Sequence, residues 1–188
     1  MTYIEDILCY KPTSLQEEND KRIILEFIDA YEHNILTRKN EIAHLTSSGL
    51  ILNNKRTKML MIHHNIYQTW TWTGGHADGD TDMLYVALKE AKEETGVDNI
   101  KALTSDIASI DIIPVYGHMK NGNFISSHLH LNISYLLIAD ENDPTCINVN
   151  ETSDVRWVEI DQIQEHSNEP YLIEIYQKMI RKAQTQKK

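Results

Sequence analysis

Three glutamates, Glu90, Glu93 and Glu94, close the stretch TGGHADGDTDMLYVALKEAKEETGV, residues 73 to 97. On a helix turning about 100° per residue, positions three and four apart are neighbours, so the three carboxylates share one side. Carboxylates gathered this way have two readings. They form an ordinary solvated face, or they grip a hard cation such as Mg2+ or Mn2+, which takes carboxylates, carbonyls and water as ligands. Like charges cost an exposed helix about a few tenths of a kcal/mol per pair, and Lys89 and Lys92 offset part of that. Two features favour the cation. Met83 and Val86 project toward the glutamate side, which is therefore not purely polar. Gly74 and Gly75 precede the helix, and a backbone without side chains can approach a ligand closely.

The nine histidines are a second source of chemistry. His128 and His130 alternate in HLHLN and point to one face of a strand, while Leu129, Leu131 and Ile133 point to the other. His76 lies in the loop before the glutamates, and His44 opens an earlier strand. Together they can line a cleft that binds phosphate or an extra metal, although a His-x-His pair also occurs on half-exposed strands without a ligand. His63 and His64 adjoin a loop and read as surface. Trp70, Trp72, Tyr116 and Tyr135 stack on a base or fill the core, and the core is the expected place for them.

Positioning elements can be read from periodicity. Residues 14–33 read as a helix, with Ile24, Phe27, Ile28 and Tyr31 at helical spacing and a capping box at Ser14 and Glu17. Residues 43–52 and 57–63 read as strands joined by a turn at 53–55. A helix is expected over about 82–95, capped by Asp80 or Thr81 and ended by Gly96; on it Leu84, Ala87, Leu88 and Ala91 face a sheet. Extended runs at about 103–116 and 127–139, separated by residues 117–123, precede a strand at 155–158, a helical turn at 161–166 and a last helix from Pro170 to about Gln184. This order indicates an α+β fold with a mixed or antiparallel sheet. Residues 1–40 read as an N-terminal helical extension, and 41–188 as the main domain.

Composition narrows the partners. The 188-residue chain, 41% hydrophobic and 24% charged, suits a globular domain. No window is long and apolar enough to cross a bilayer, and the acidic N-terminus lacks the apolar core of a signal peptide, so a cytoplasmic protein is expected. Cys9 and Cys146 form neither a CxxC pair nor a disulfide framework and read as two reduced thiols. A formal charge of −10 argues against a nucleic-acid surface. The basic residues Lys178, Arg181, Lys182, Lys187 and Lys188 read as a charged helix end. An acidic protein can still act on a phosphorylated small molecule when a divalent cation bridges the two.

The segment from Gly75 to Val97 resembles the Nudix box, G-x5-E-x7-R-E-U-x-E-E-x-G-U with U aliphatic, over 23 residues without a gap. Gly75 matches the first glycine, Glu90, Glu93 and Glu94 the glutamates of the second half, Ala91 the first U, and Gly96-Val97 the last pair. Lys89 stands in place of the arginine and keeps its charge without the planar fork. Thr81 stands in place of the first glutamate, with Asp80 and Asp82 beside it to take over its supporting role. The Trp-rich strand before the box, the loop GGHADGD and VRWVEIDQI also resemble the family, so the likeness spans 41–166.

The resemblance implies a Nudix-type α/β/α sandwich around a mixed sheet. It implies a Mg2+- or Mn2+-dependent pyrophosphohydrolase that cleaves the diphosphate linkage of a nucleoside diphosphate derivative or similar small molecule. Glu90, Glu93 and Glu94 would bind the metal with a backbone carbonyl of Gly74 or Gly75. Lys89 belongs to the catalytic set, and the base would be Glu90, Glu93 or, from a distant loop, Glu151, which otherwise reads as a solvated loop residue. His76, His128 and His130 would contact substrate. The N-terminal helix offers a surface for a homodimer contact. The alternative is a catalytically weak Nudix-like binding module, against which the three retained glutamates argue. Isoprenoid diphosphate isomerisation ranks low because Cys9 and Cys146 lie away from the position such a cysteine takes, and an mRNA-cap hydrolase would need a basic path.

Overall fold

The computed structural model describes residues 2–120 and 122–185; Lys187 and Lys188 of the basic tail lie outside them. The chain runs α1 (Tyr3–Cys9), α2 (Leu15–Tyr31), β1 (Ala43–Asn53), β2 (Lys58–His64), β3 (Thr69–Thr71), β4 (Thr73–His76) and α3 (Met83–Thr95). It continues with β5 (Lys101–Ala102), β6 (Ser109–Val115), β7 (His118–Lys120), β8 (Asn123–Ile125), β9 (His128–Ala139), β10 (Thr152–Glu159), α4 (Ile163–His166) and α5 (Pro170–Thr185).

One mixed sheet organises these elements, in the order β10-β2-β1-β9-β5, with β3 beside β2, β4 beside β1 and β6 beside β9. β1 and β9 are parallel, in register from Ala43↔Leu129 to Asn53↔Ala139, and the other pairs are antiparallel. The sheet is buried on both faces. Leu45, Ile51, Leu131, Ile133 and Leu137 meet α2 and α3 through Ile24, Ile28, Ala87 and Ala91. Leu50, Leu52, Met59, Met61 and Leu136 meet α5 through Ile175, Tyr176 and Met179. Alternation along β1 and β9 sends successive residues to opposite layers, which produces the expected sandwich. No helix among the described residues is long and apolar enough to cross a membrane.

Several local expectations change. Ser14 caps α2 by accepting the Glu17 N–H at 3.2 Å, but the Glu17 carboxylate turns into the protein, so the reciprocal half of that box does not form. A full capping box forms instead at Thr2 and Glu5. The long run at 103–116 shortens to β6, and the separator at 117–123 carries the β7–β8 hairpin. Trp72 and Tyr135 are buried, Trp70 is half-buried beneath the Arg156 guanidinium, and Tyr116 is exposed next to the hairpin rather than in the core. Both cysteines are free.

The basic helix end also differs from expectation. Lys178 and Lys182 turn inward, toward carboxylates of α2 and β6. Lys178 Nζ reaches Asp111 at 2.7 Å and Glu17 at 3.0 Å, and Lys182 Nζ reaches Glu17 at 3.1 Å and the Ala108 carbonyl at 2.8 Å. Tyr10 and Thr13 donate to the same Glu17 carboxylate. This knot around the buried Glu17 carboxylate ties the N-terminal helices to the last helix.

Burial by itself raises the Glu17 carboxyl, but hydrogen bonds from Tyr10 and Thr13 and the Lys178 ammonium outweigh it and bring it from 4.5 down to about 2. A carboxyl lowered on folding adds stability that is complete above pH 4.5 and drains away as the pH falls through about 2. The shift corresponds to about 3 kcal/mol. Urea unfolding at a series of acid pH values is expected to trace this loss. Glu17→Gln should cost about 3–5 kcal/mol at neutral pH and flatten the acid slope. Wild-type stability with an unchanged slope would show that the knot is not holding the helices.

Candidate active site

The site begins where α3 crosses β4. Asp82, not Asp80 or Thr81, caps the helix by accepting the Tyr85 N–H at 2.9 Å, and Asp80 accepts the Asp82 N–H. Both aspartates are thus engaged in the turn into the helix, and neither is seen substituting for the glutamate that Thr81 replaces. Gly96 ends the helix with φ 69°, and a Cβ there would stand 2.6 Å from the Cys146 side chain, so both backbone and space call for glycine.

The helix is rotated relative to its expected facing. Its buried stripe is Met83, Val86, Ala87, Ala91 and Glu94, while Leu84 and Leu88 are only partly buried. The glutamates therefore border the sheet instead of opposing it, and they sit at three depths. Glu94 is 4% exposed, the Glu90 side chain 17% and the Glu93 side chain 53%. Two glycines allow this approach. A Cβ on Gly75 would fall 2.4 Å from the Glu90 carboxyl carbon, and one on Gly74 would meet the Ser48 hydroxyl and the Ser47 carbonyl. Gly74 also donates its N–H to Glu94 Oε2 at 2.9 Å. Lys89 Nζ lies 3.7 Å from Glu90 and 3.9 Å from Glu93, bridging the two outer carboxylates.

Electrostatics draws a fourth carboxylate into the group. Burial raises Glu94 well above its ordinary value; the Gly74 N–H opposes the rise, and Glu90, Glu151 and Glu93 add to it. Burial also raises Glu90, with Glu93 and Glu151 adding and Lys89 opposing. Glu151 is thus close enough to act on both, although it lies far along the chain. Its backbone is fixed by the Asn65 N–H bonded to its carbonyl and by its own N–H bonded to Asn148. The cluster is a set of oxygens short of positive charge, which suits a hard divalent cation.

Arg38 is a site residue that sequence reasoning missed. It forms a two-pronged pair with Asp78, at 3.0 and 2.6 Å, and its charge is felt at Glu90 and Glu151. A single arginine in an irregular loop carries no motif, so nothing in the sequence singles it out.

The histidines gather separately. Gly75 faces Glu90, so its neighbour His76 points to the opposite face of β4. There His76 joins His44, His128 and His130, with one ligand atom from each lying within 4.8 Å of the others. His44 is buried and the other three are half-buried. Burial lowers His44 and His130 below the ordinary imidazole range, His130 to about 2, with neighbouring histidines contributing, so both rings are neutral near pH 7.

A family model described as NUDIX domain matches residues 43–179. None of the curated proteins matches the chain. Among solved structures, the Ap4A hydrolase of C. elegans is similar at 15% identity and TM-score 0.52, over 74% of this chain and 97% of that one. The Nudix hydrolase RenU of M. smegmatis is similar at 18% identity and TM-score 0.55, over 77% and 88%. The dihydroneopterin triphosphate pyrophosphohydrolase of E. coli is similar at 11% identity and TM-score 0.56, over 73% and 95%. At these identities the likeness is one of fold.

The glycine corner is open to a direct test. Gly75→Ala is expected to push Glu90 outward and weaken Mn2+ binding by about tenfold or more, at a stability cost of about 1–3 kcal/mol. Mn2+ titration followed by electron paramagnetic resonance measures the first, and urea unfolding the second. Unchanged Mn2+ affinity would show that Glu90 need not touch the corner.

Proposed function

We propose that the chain, which belongs to the Nudix family, is a pyrophosphohydrolase that cleaves the diphosphate linkage of a nucleoside diphosphate derivative or similar small molecule with Mg2+ or Mn2+. The observation that carries this reading is that Glu90 and Glu94 pack against the Gly74–Gly75 corner, with Glu93 joined to Glu90 through Lys89 and burial raising Glu90 and Glu94. Carboxylates held together against their own repulsion suit a cation and have no evident use without one.

Glu90, Glu93 and Glu94 would hold the cation, with a backbone carbonyl of Gly74 or Gly75 as a further ligand. Bound there, a divalent ion supplies positive charge against the phosphoryl oxygens of the substrate. Glu94 is the fixed member, anchored by the Gly74 N–H, and Glu93 is the member most open to an arriving substrate. Lys89 keeps the outer two carboxylates at their spacing. Glu151 accepts the proton of the attacking water, a task that needs a carboxylate near the cluster but not spent on the cation. Arg38, held by Asp78, offers positive charge toward an incoming phosphate.

In this reading residues 41–188 form the catalytic domain, and residues 1–40 are an extension braced by Glu17. The acidic chain favours a small-molecule substrate over nucleic acid, and two free thiols suit the cytoplasm.

The test is release of phosphate or pyrophosphate from dinucleotides, nucleotide sugars, nucleoside triphosphates and other diphosphates, with Mg2+, with Mn2+ and with chelator. Metal-dependent turnover of one class is expected. Glu93→Gln should lower kcat by about 100-fold or more and weaken cation binding. Glu151→Gln should lower kcat by about 100- to 10,000-fold while leaving cation binding intact. Absence of turnover across the panel, with cation and nucleotide still bound, would favour a binding module.

A further inference from the structure

The four histidines come from three neighbouring strands at one end of the sheet. His44 opens β1, and His130 is its register partner on β9. His128 lies two residues earlier on the same face of β9. His76 ends β4 and pairs with Thr46 of β1, which shares the face of His44. Strand pairing alone therefore brings the four side chains together.

Backbone carbonyls engage one nitrogen on two of these rings. His44 Nδ1 lies 2.9 Å from the Asn40 carbonyl, and His128 Nδ1 lies 2.8 Å from the Ser126 carbonyl. A carbonyl only accepts, so each Nδ1 carries a proton, and in the neutral ring the Nε2 then presents a lone pair. The Nε2 atoms of His44 and His130 are buried without a hydrogen-bond partner. Two buried ring nitrogens left unpaired cost stability unless something else satisfies them. A backbone carbonyl behind a ring is also the usual outer support of a metal-binding histidine.

The spacing agrees. Five of the six ring pairs have centroids 4.9–5.4 Å apart. Four imidazoles bound through nitrogen at about 2.1 Å to one tetrahedral ion would have ring centres about 5 Å apart. We propose that His44, His76, His128 and His130 form a second metal site, which holds one divalent first-row transition ion of the Zn2+ type. Imidazole nitrogen suits Zn2+ and its neighbours in the series, whereas the glutamate cluster on the opposite face of β4 suits harder ions, so the two sites sort metals by chemistry. The ion ties β1, β4 and β9 together immediately before the loop that leads into α3. This inference does not depend on the hydrolytic reading.

The test uses the full chain stripped with chelator, titrated with Co2+ and then with Zn2+. One equivalent of Co2+ is expected to give the intense visible bands of a tetrahedral site, and one equivalent of Zn2+ to bleach them. His76→Asn and His128→Asn, the less buried ligands, should each weaken Zn2+ binding by at least about 100-fold while circular dichroism reports a folded chain. Glu93→Gln should leave this binding unchanged, which separates the histidine site from the carboxylate site. Absence of tetrahedral Co2+ in the folded wild type, undiminished binding in both histidine variants, or loss of binding in Glu93→Gln would each overturn the proposal.

Discussion

Helix α3 passes over β4 at Gly74–Gly75, where no side chain keeps helix and strand apart, and the Glu90 carboxyl occupies the space a Cβ would need. That contact fixes the rotation of the helix. With Glu90 against Gly75 and Glu94 bonded to the Gly74 N–H, Ala87 and Ala91 must turn into the sheet, and Glu93 must stand at the rim. The same corner divides the two faces of β4: Gly75 looks toward the glutamates and His76 toward the histidines. Any residue larger than glycine would move the carboxylates, and with them the depth order on which the cluster is built.

Much of the fold was legible because a strand whose two faces differ in polarity leaves a period-2 record. HLHLNIS, the first half of β9, alternates polar with apolar residues, so its two faces can be assigned before pairing is known. The rotation of α3 was not legible. Leu84 and Leu88 look like core residues by type, but they lie at the margin, since the buried stripe is set by glycines on a different element and not by the helix's own apolar pattern. The inward turn of Lys178 and Lys182 was hidden for a related reason: their partners, Glu17 and Asp111, are remote in sequence, and a buried ion pair leaves no periodic trace. Ser14 and Glu17 fit a capping box as a pattern, yet the Glu17 carboxylate is drawn into the knot with Tyr10, Thr13 and the lysines.

The site was readable in proportion to how local its parts are. Glu90, Glu93 and Glu94 share one helix and one motif. Glu151 stands alone in a distant loop, and only the folded chain brings its charge to bear on Glu90 and Glu94. Arg38 carried no signal at all. His44, His76, His128 and His130 could be suspected together as a cleft lining, but their actual assembly depends on the parallel register of β1 with β9, which the sequence leaves open.

Carboxylates and imidazoles form separate candidate ligand sets on the two faces of one strand. Diffraction from crystals soaked in Mn2+, measured at the manganese absorption edge, tests the first of these most directly. The account predicts an anomalous peak within about 2.0–2.3 Å of oxygens from Glu90, Glu93 and Glu94, as expected for a small hard cation. A manganese peak among the histidines with none at the glutamates, or no ordered manganese in a lattice that leaves the glycine corner open, would contradict it.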